Sequence, residues 1–196
     1  MTMLKLFGEP RHCDAAFYAG LPLADHINQP EHALRLYVAA AYVLYYARFA
    51  GCTSVSDLGC GNGGLLEHVG RSLGPDVRLR GYDLLPANVA DARARGLSVE
   101  LRDLVAEPLA EGERPDLAVM TQTLEHLLDP EAFLRNARHL VVATVPCNEN
   151  AERHYGQHLW AWTGGSFGKM FLRAGFQVLV SAQVARVQLV VAGRNT

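Results

Sequence analysis

An acidic residue followed by closely spaced glycines is the feature of this sequence best suited to chemistry. Residues Val55 to Gly64 read Val-Ser-Asp-Leu-Gly-Cys-Gly-Asn-Gly-Gly, so a short apolar run containing Asp57 ends in a glycine-rich loop. Glycine has no side chain, which lets the backbone turn sharply and approach a ligand closely. A loop of this kind after a strand predicts a site for a nucleotide-type cofactor.

Two kinds of cofactor fit this loop. Gly59-x-Gly61-x-x-Gly64 satisfies the dinucleotide fingerprint, in which a pyrophosphate lies at a helix N-terminus. Asp57-x-Gly59-x-Gly61-x-Gly63 resembles the first motif of class I S-adenosylmethionine (SAM) dependent methyltransferases. A carboxylate repels a pyrophosphate, whereas it can help to hold the ammonium of the methionine part of SAM. Asp57 therefore favours SAM, and an NAD-dependent oxidoreductase remains an alternative.

Composition predicts one globular domain over residues 1–196. The chain is 49% hydrophobic, which is enough for one good core. Its 18 basic and 20 acidic residues leave a net charge of −2, so we expect no nucleic-acid partner. The four cysteines form no Cys-x-x-Cys pair, which disfavours a zinc ribbon and fits a reducing cytoplasm. The N-terminus lacks a signal-peptide pattern and the apolar run 37–49 is too short for a bilayer. We therefore expect a cytoplasmic monomer or homodimer without a membrane partner.

Apolar runs alternate with helical patterns along the chain, which predicts a parallel sheet covered by helices. The predicted strands are 55–58, 77–82, 98–101, 117–121, 140–145, 176–182 and 184–192. The predicted helices are 65–73, 86–95, 131–138 and 163–174, with a long apolar helix starting at Pro30. The last two strands leave no room for a helix between them, so they must form an antiparallel hairpin. The expected fold is a single doubly wound, mostly parallel seven-stranded α/β sheet with that hairpin at its C-terminal end.

From about Thr53 to its C-terminus the chain resembles the class I SAM-dependent methyltransferases, and within them the small-molecule and quinone-type branch. Five segments carry the likeness in order: Asp57-Leu-Gly-Cys-Gly-Asn-Gly63, Gly81-Tyr-Asp83, Arg102-Asp103-Leu104, Thr121-Gln-Thr-Leu-Glu-His-Leu-Leu-Asp-Pro130 and Gln157-His-Leu-Trp-Ala-Trp-Thr163. The resemblance implies the strand order 3-2-1-4-5-7-6, a SAM-binding core over 53–196 and an N-terminal helical lid over 1–50. The Lys-Pro-Gly-Gly turn usual before the fifth strand is replaced by Ala137-Arg-His139.

The cofactor contacts are predicted at the carboxyl ends of the strands. Asp83 ends the second strand, 24 residues after Gly59, where a carboxylate can accept hydrogen bonds from both ribose hydroxyls. The resemblance implies that Asp103 accepts a hydrogen bond from the adenine amino group, with the Leu104 N–H completing its recognition. Leu84 would lie against the adenine. The complete predicted cofactor set is Asp57, Gly59, Gly61, Gly63, Asp83, Leu84, Asp103, Leu104, Thr121 and Gln122.

The acceptor chemistry is predicted to need little beyond alignment and a base. The sulfonium methyl of SAM is already activated, so the enzyme must bring an oxygen or nitrogen nucleophile of a small molecule in line and exclude water. A histidine can take the proton of a hydroxyl acceptor. The predicted catalytic residues are His158 and His126, and the predicted substrate contacts are Tyr18, Tyr37, His154 and Tyr155.

A metal-assisted reaction is the main alternative. In the small-RNA 3′-terminal 2′-O-methyltransferases, a Glu-x-x-Glu-His segment and a later histidine bind a divalent metal that activates the ribose hydroxyls. This sequence offers Gln122-x-x-Glu125-His126 and His158, so an amide replaces one carboxylate and a hard-cation site is weakened. We therefore expect no metal, and we keep an RNA 2′-O-methyltransferase and a non-catalytic SAM-binding relative as alternatives.

Overall fold

Nine strands are present in the described part of the chain, residues 4–5, 13–19, 30–162, 165–184 and 186–194 of a computed structural model. They are β1 (Leu4–Lys5), β2 (Ser54–Leu58), β3 (Arg78–Asp83), β4 (Val99–Leu101), β5 (Leu117–Thr121), β6 (Leu140–Pro146), β7 (Trp160–Ala161), β8 (Gln177–Val184) and β9 (Val187–Gly193). Seven of them form one sheet in the order β4-β3-β2-β5-β6-β9-β8. Counted from β2 as the first strand, this order is 3-2-1-4-5-7-6, which confirms the predicted topology.

The sheet is parallel except at its C-terminal hairpin. β9 runs antiparallel to both β6 and β8, whereas β2 pairs in parallel with β3 and β5. The chain builds outward from β2 to β4 on one side and then continues from β5 on the other. In sheets of this kind, ligands bind outside the carboxyl ends of the strands where the order reverses. That position here is the mouth between β2 and β5.

Helices cover both faces of the sheet. They are α1 (Ala15–Ala19), α2 (Pro30–Phe49), α3 (Gly64–Gly70), α4 (Pro86–Ala94), α5 (Pro130–Phe133) and α6 (Ser166–Arg173). Alternate residues of β5 pack on opposite faces of the sheet, because successive strand side chains point in opposite directions. Leu117 and Val119 pack with α2 and α3, whereas Ala118 and Met120 pack in the cluster that contains α6. None of the described helices combines the length and the apolar character needed to cross a membrane.

The predicted helix 131–138 is wrong in its length. The chain forms the single α-turn α5 and then a 3₁₀ turn over Leu134–Asn136. The buried Asn136 side chain explains the early end, since it accepts a hydrogen bond from the Leu109 N–H at 2.8 Å and donates to the Phe133 carbonyl at 3.1 Å. Side-chain bonds of this kind compete with the continuing helix.

The predicted N-terminal lid is described in part. α2 packs on the sheet through a cluster that includes Ala39 and Val43, and β1 pairs antiparallel with β7. Residues 1–3, 6–12 and 20–29 of the predicted lid lie outside the described residues.

Candidate functional site

Asp57 lies within the central strand β2, and its carboxyl is almost fully enclosed. The residue is 1% exposed, and its Oδ1 atom has no hydrogen-bond partner among the described residues. Burial raises the pKa of Asp57 to about 8, and the nearby charge of Asp83 adds to the rise. A buried carboxyl oxygen without a hydrogen-bond partner is costly for the fold. A cation placed against Asp57 offsets that cost, so this carboxyl fits the ammonium predicted from the sequence.

Asp83, the last residue of β3, ties the glycine loop to the start of α4. Its Oδ2 accepts a hydrogen bond from the Gly61 N–H at 2.8 Å, and its Oδ1 accepts from the Leu85 N–H at 2.9 Å and the Asn88 amide at 3.1 Å. A carboxylate offers about four acceptor positions. Burial raises the pKa of Asp83, whereas these hydrogen bonds lower it. A further backbone hydrogen bond, from Leu84, also lowers the pKa. The ribose role of Asp83 stays a prediction.

The glycines of the loop differ in what surrounds them. A Cβ on Gly59 would lie 2.6 Å from Thr123 Oγ1, and one on Gly63 would lie 2.5 Å from a Leu97 methyl. Close packing therefore favours glycine at Gly59, and positive φ values of 88° and 86° favour glycine at Gly59 and Gly63. A Cβ on Gly61 would meet no described atom within 4 Å, although its φ of 54° still favours glycine. Among these three, Gly61 is the one with open space for a cofactor, and together with Asp57 and Asp83 it makes the site fit SAM.

Two of the predicted adenine contacts, Asp103 and Leu104, lie at a turn after β4, and the third, Leu84, lies between β3 and α4. Asp103 Oδ1 accepts hydrogen bonds from the Val105 N–H at 2.9 Å and the Ala106 N–H at 3.3 Å. Leu104 is buried in the main core, and Leu84 is half-buried before α4. The adenine roles of these residues stay predictions.

Gln122 turns the chain at the end of β5, immediately after Thr121. Its φ is 54°, an uncommon value for a residue with a side chain. The Gln122 side-chain oxygen accepts a hydrogen bond from Arg35 at 3.1 Å, and its amide nitrogen donates to Thr144 Oγ1 at 3.2 Å. Sequence reasoning missed Arg35, whose signal is a cation within a largely apolar helix, α2.

Glu125, His126 and His158 come together beyond Gln122. One potential ligand atom from each lies within 4.8 Å of the others, and the two imidazole ring centres are 4.8 Å apart. Both Glu125 carboxylate oxygens are buried without a hydrogen-bond partner among the described residues. Burial raises the pKa of Glu125 to about 7, although His158 and Arg35 act in the opposite direction. Glu125 therefore binds a proton more readily than an exposed glutamate does.

The same three side chains also have the chemistry of a divalent-cation site. One carboxylate and two imidazoles suit a transition metal better than Mg²⁺, which prefers oxygen ligands. Gln122, the fourth member of the set considered from the sequence, has its amide engaged by Arg35 and Thr144. The expectation of no metal stays a prediction.

The predicted substrate contacts are spread over three elements. Tyr18 on α1 is half-buried, with its ring centre 6.0 Å from that of His126, and burial raises its pKa. Tyr155 is exposed, with its ring 5.4 Å from that of His158. His154 contacts the Asn150 carbonyl at 3.0 Å. Tyr37 is exposed and its ring packs 4.3 Å from that of His68 on α3. Tyr18 and Tyr155 are therefore the two that flank the histidines.

Arg95 supports the glycine loop from outside the cofactor site. Its guanidinium donates hydrogen bonds to the Asn62 carbonyl and, at 2.7 Å, to Glu67 of α3. We expect Arg95→Ala to weaken SAM binding about fivefold and to lower the free energy of unfolding by about 1 kcal/mol, because a net hydrogen bond contributes about this much. Calorimetry with SAM and urea denaturation measure the two effects.

Arg71→Ala is the matched control for Arg95→Ala. Arg71 also pairs with Glu67, at 2.6 Å, but its side chain is 70% exposed. The Arg71→Ala variant should leave SAM affinity unchanged. Equal losses of affinity in both variants would assign the effect to the Glu67 ion pair and contradict a role for the loop contact.

A doubly wound sheet with this strand order, a glycine loop after its central strand and acids on β2 and β3 defines a SAM-dependent methyltransferase of class I. The family described as "Methyltransferase domain" matches residues 31–181, and the chain belongs to it.

Relatives in sequence and structure agree with this class. The chain is 41% identical over 90 residues to a protein of Cereibacter sphaeroides named "Ubiquinone biosynthesis O-methyltransferase", with 43% of this chain and 35% of that one covered. The match thus spans about a third of the length of such relatives. Magnesium protoporphyrin IX methyltransferase from Synechocystis with bound SAM has a TM-score of 0.62 at 16% identity, over 91% of this chain and 88% of that one. The plantazolicin methyltransferase BpumL gives 0.69 at 13% identity, over 88% of each chain.

Proposed function

We propose that the protein transfers the methyl group of SAM to a hydroxyl oxygen of a small-molecule acceptor by in-line displacement. The observation that carries the proposal is the pair His126 and His158, whose ring centres are 4.8 Å apart. His126 follows the predicted methionine contact Gln122 by four residues. An imidazole near this end of the sheet can take the proton of a hydroxyl. The O-methyltransferase names of the sequence relatives support oxygen over nitrogen as the acceptor atom.

In the proposed mechanism, one set of residues binds SAM and another set binds the acceptor. SAM, when bound, supplies an activated methyl group. Asp57 neutralises the ammonium, and Asp83 orients the ribose. His158 takes the hydroxyl proton as the acceptor oxygen bonds to the methyl carbon and the carbon–sulfur bond breaks. Tyr18 and Tyr155 limit the access of water and acceptor from either side of the histidines. Alignment is the main source of the rate increase.

Calorimetry and a labelled-methyl assay test the proposal. SAM and its demethylated product should both bind, and label from SAM should appear in hydroxyl compounds such as catechol. We expect His158→Asn to lower kcat about 100-fold, the scale of a lost general base, while the Kd for SAM stays within about twofold. Binding without transfer to any hydroxyl compound would instead support the non-catalytic alternative. Labelling of amines alone would contradict the choice of oxygen.

A metal-assisted 2′-O-methyltransferase is the second candidate, and the grouping of Glu125, His126 and His158 within 4.8 Å favours it. A divalent cation there would bind the acceptor hydroxyls directly. Loss of activity in EDTA, restored by Mn²⁺ or Mg²⁺ and directed to an RNA 3′ end, would support this candidate. Activity on catechol that is unaffected by EDTA would exclude it.

A further inference from the structure

Glu149 is an enclosed acid to which neither the sequence motifs nor the relatives give a role. It follows β6, and its two carboxylate oxygens lie 2.9 and 2.7 Å from His158 Nδ1. Both side chains are 10% exposed. We infer that Glu149 is the positioning residue of the acceptor site, which holds the His158 ring in one orientation and one tautomer. The inference rests on the proposed function, in which His158 takes the acceptor proton.

The contact determines which nitrogen of His158 carries the hydrogen. An ionised carboxylate only accepts hydrogen bonds, so the hydrogen between the two groups lies on Nδ1. A neutral His158 then has its lone pair on Nε2, at the far side of the ring from Glu149. In the serine proteases a carboxylate orients the catalytic histidine in the same way, and replacing it by an amide lowers kcat about 10⁴-fold through the wrong tautomer. Glu149 is therefore placed to prepare Nε2 as a proton acceptor.

The backbone around Glu149 is built to hold it. Asn148, just before it, has a left-handed φ of 66°, which turns the chain. The Tyr155 N–H donates to Glu149 Oε1 at 3.3 Å, and the His158 N–H donates to the Tyr155 carbonyl at 2.9 Å. These hydrogen bonds join the two ends of the loop between Glu149 and His158. Such a loop keeps the carboxylate fixed before an acceptor arrives.

Two further charges act on His158 and differ from Glu149 in what they contact. The carboxylate of Glu125, which lies beyond β5, has no hydrogen-bond partner among the described residues, and the charge of Arg35 on α2 also acts on His158. Burial lowers the pKa of His158, while the bond to Glu149 and the charges of Glu125 and Glu149 raise it further than burial lowers it. Of the two acids, Glu149 makes the hydrogen bond and so sets the orientation of the ring.

Nuclear magnetic resonance of the histidine nitrogens tests the tautomer without an acceptor. Neutral His158 should give the Nδ1–H signature in the wild type and in Glu149→Asp, which keeps a carboxylate. Glu149→Gln can donate from its amide to Nδ1, so the Nε2–H form should appear. A purely structural role for Glu149 would not change the tautomer. The same signature in wild type and Glu149→Gln would overturn the inference.

Kinetics with catechol as the acceptor test the consequence for the reaction. Glu149→Gln should lower kcat at pH 7 about 100-fold with an unchanged KM for SAM. The deficit should shrink as the pH approaches about 10, the ordinary pKa of a phenol, because the ionised acceptor needs no base. Glu152→Gln, an exposed acid of the same loop, is the control and should match the wild type.

The outcomes separate the two proposals. A kcat for Glu149→Gln within about twofold of the wild type would overturn the positioning role and leave the proposed function standing. Absence of methyl transfer by the wild type would overturn the proposed function, and the tautomer signature would still decide whether Glu149 orients the ring. A uniform loss of kcat at every pH, with the Nδ1–H signature intact, would count against the inference.

Discussion

Asp57→Asn should make the ligand-free protein more stable. The carboxyl has an ordinary pKa of 3.8 and a pKa of about 8 in the fold, so the folded state binds the proton more tightly than the unfolded chain does. The free energy of unfolding therefore contains the full contribution of the protonated carboxyl below about pH 4. It falls as the pH rises to about 8, and above that pH the effect of Asp57 is constant. Asparagine does not titrate. At pH 8 we therefore expect the variant to exceed the wild type by about 2–4 kcal/mol in free energy of unfolding, with a much smaller difference at pH 4. Urea denaturation at both pH values measures this.

The same substitution should weaken SAM binding about 10- to 100-fold, since a charge-assisted contact is lost. Binding of the ammonium favours the ionised form of Asp57, so the wild type should release close to one proton at pH 7 and the variant none. Calorimetry in buffers of different ionisation enthalpy counts these protons. Adenosine lacks the amino-acid tail and should bind both proteins equally.

Asp76→Asn is the matched control for Asp57→Asn, because Asp76 is exposed in the turn before β3. It should change neither stability nor affinity. A less stable Asp57→Asn variant, or one that binds SAM as tightly as the wild type, would show that Asp57 serves the fold and not the ammonium.

Asp83→Ala should abolish most cofactor binding and should also destabilise the protein, which is the opposite sign to Asp57→Asn. Losing two charge-assisted bonds to the ribose costs about 3 kcal/mol or more, which is at least about a 100-fold rise in Kd. Loss of the bonds to the Gly61 and Leu85 N–H groups lowers the free energy of unfolding by about 1–2 kcal/mol. Calorimetry with SAM, its demethylated product and adenosine, together with urea denaturation, measures both.

Adenosine separates the roles of the two acids. It carries the ribose, so Asp83→Ala should weaken it as much as SAM, whereas Asp57→Asn should not affect it. Asp83→Asn keeps one acceptor oxygen and should fall between the wild type and alanine. Undiminished adenosine binding by Asp83→Ala would place the ribose elsewhere.

The sheet was predictable because its signals are local. Apolar strands alternate with helices, and the short gap between β8 and β9 forces a hairpin, so the strand order followed from pattern and resemblance together. The early end of α5 was not predictable, since it depends on a bond from Leu109 to Asn136 across 27 residues. A side chain that competes with a helix only when a distant segment arrives leaves no periodic signal.

The strand positions of the candidate site residues were predictable, whereas their roles toward SAM stay predictions. Asp57 and Asp83 stand at strand positions that their motifs define. The partners that fix the acceptor side come from elsewhere: Arg35 reaches Gln122 across 87 residues, and Glu149 meets His158 across a loop of irregular structure. Such contacts depend on how loops close over the finished sheet, which a linear pattern does not encode.

The contact of Thr123 with Gly59 has a further consequence. Thr123 begins the segment that carries Glu125 and His126, Gly59 begins the cofactor loop, and the Thr123 hydroxyl also donates to the Leu58 carbonyl at 3.2 Å. The glycine loop and the segment with Glu125 and His126 are thus in direct contact. A displacement of about 1 Å between reacting groups can slow such a reaction about 100-fold. Under the proposed function, we therefore expect substitutions in the loop around Glu149 to change the acceptor with less loss of activity than substitutions at Thr123.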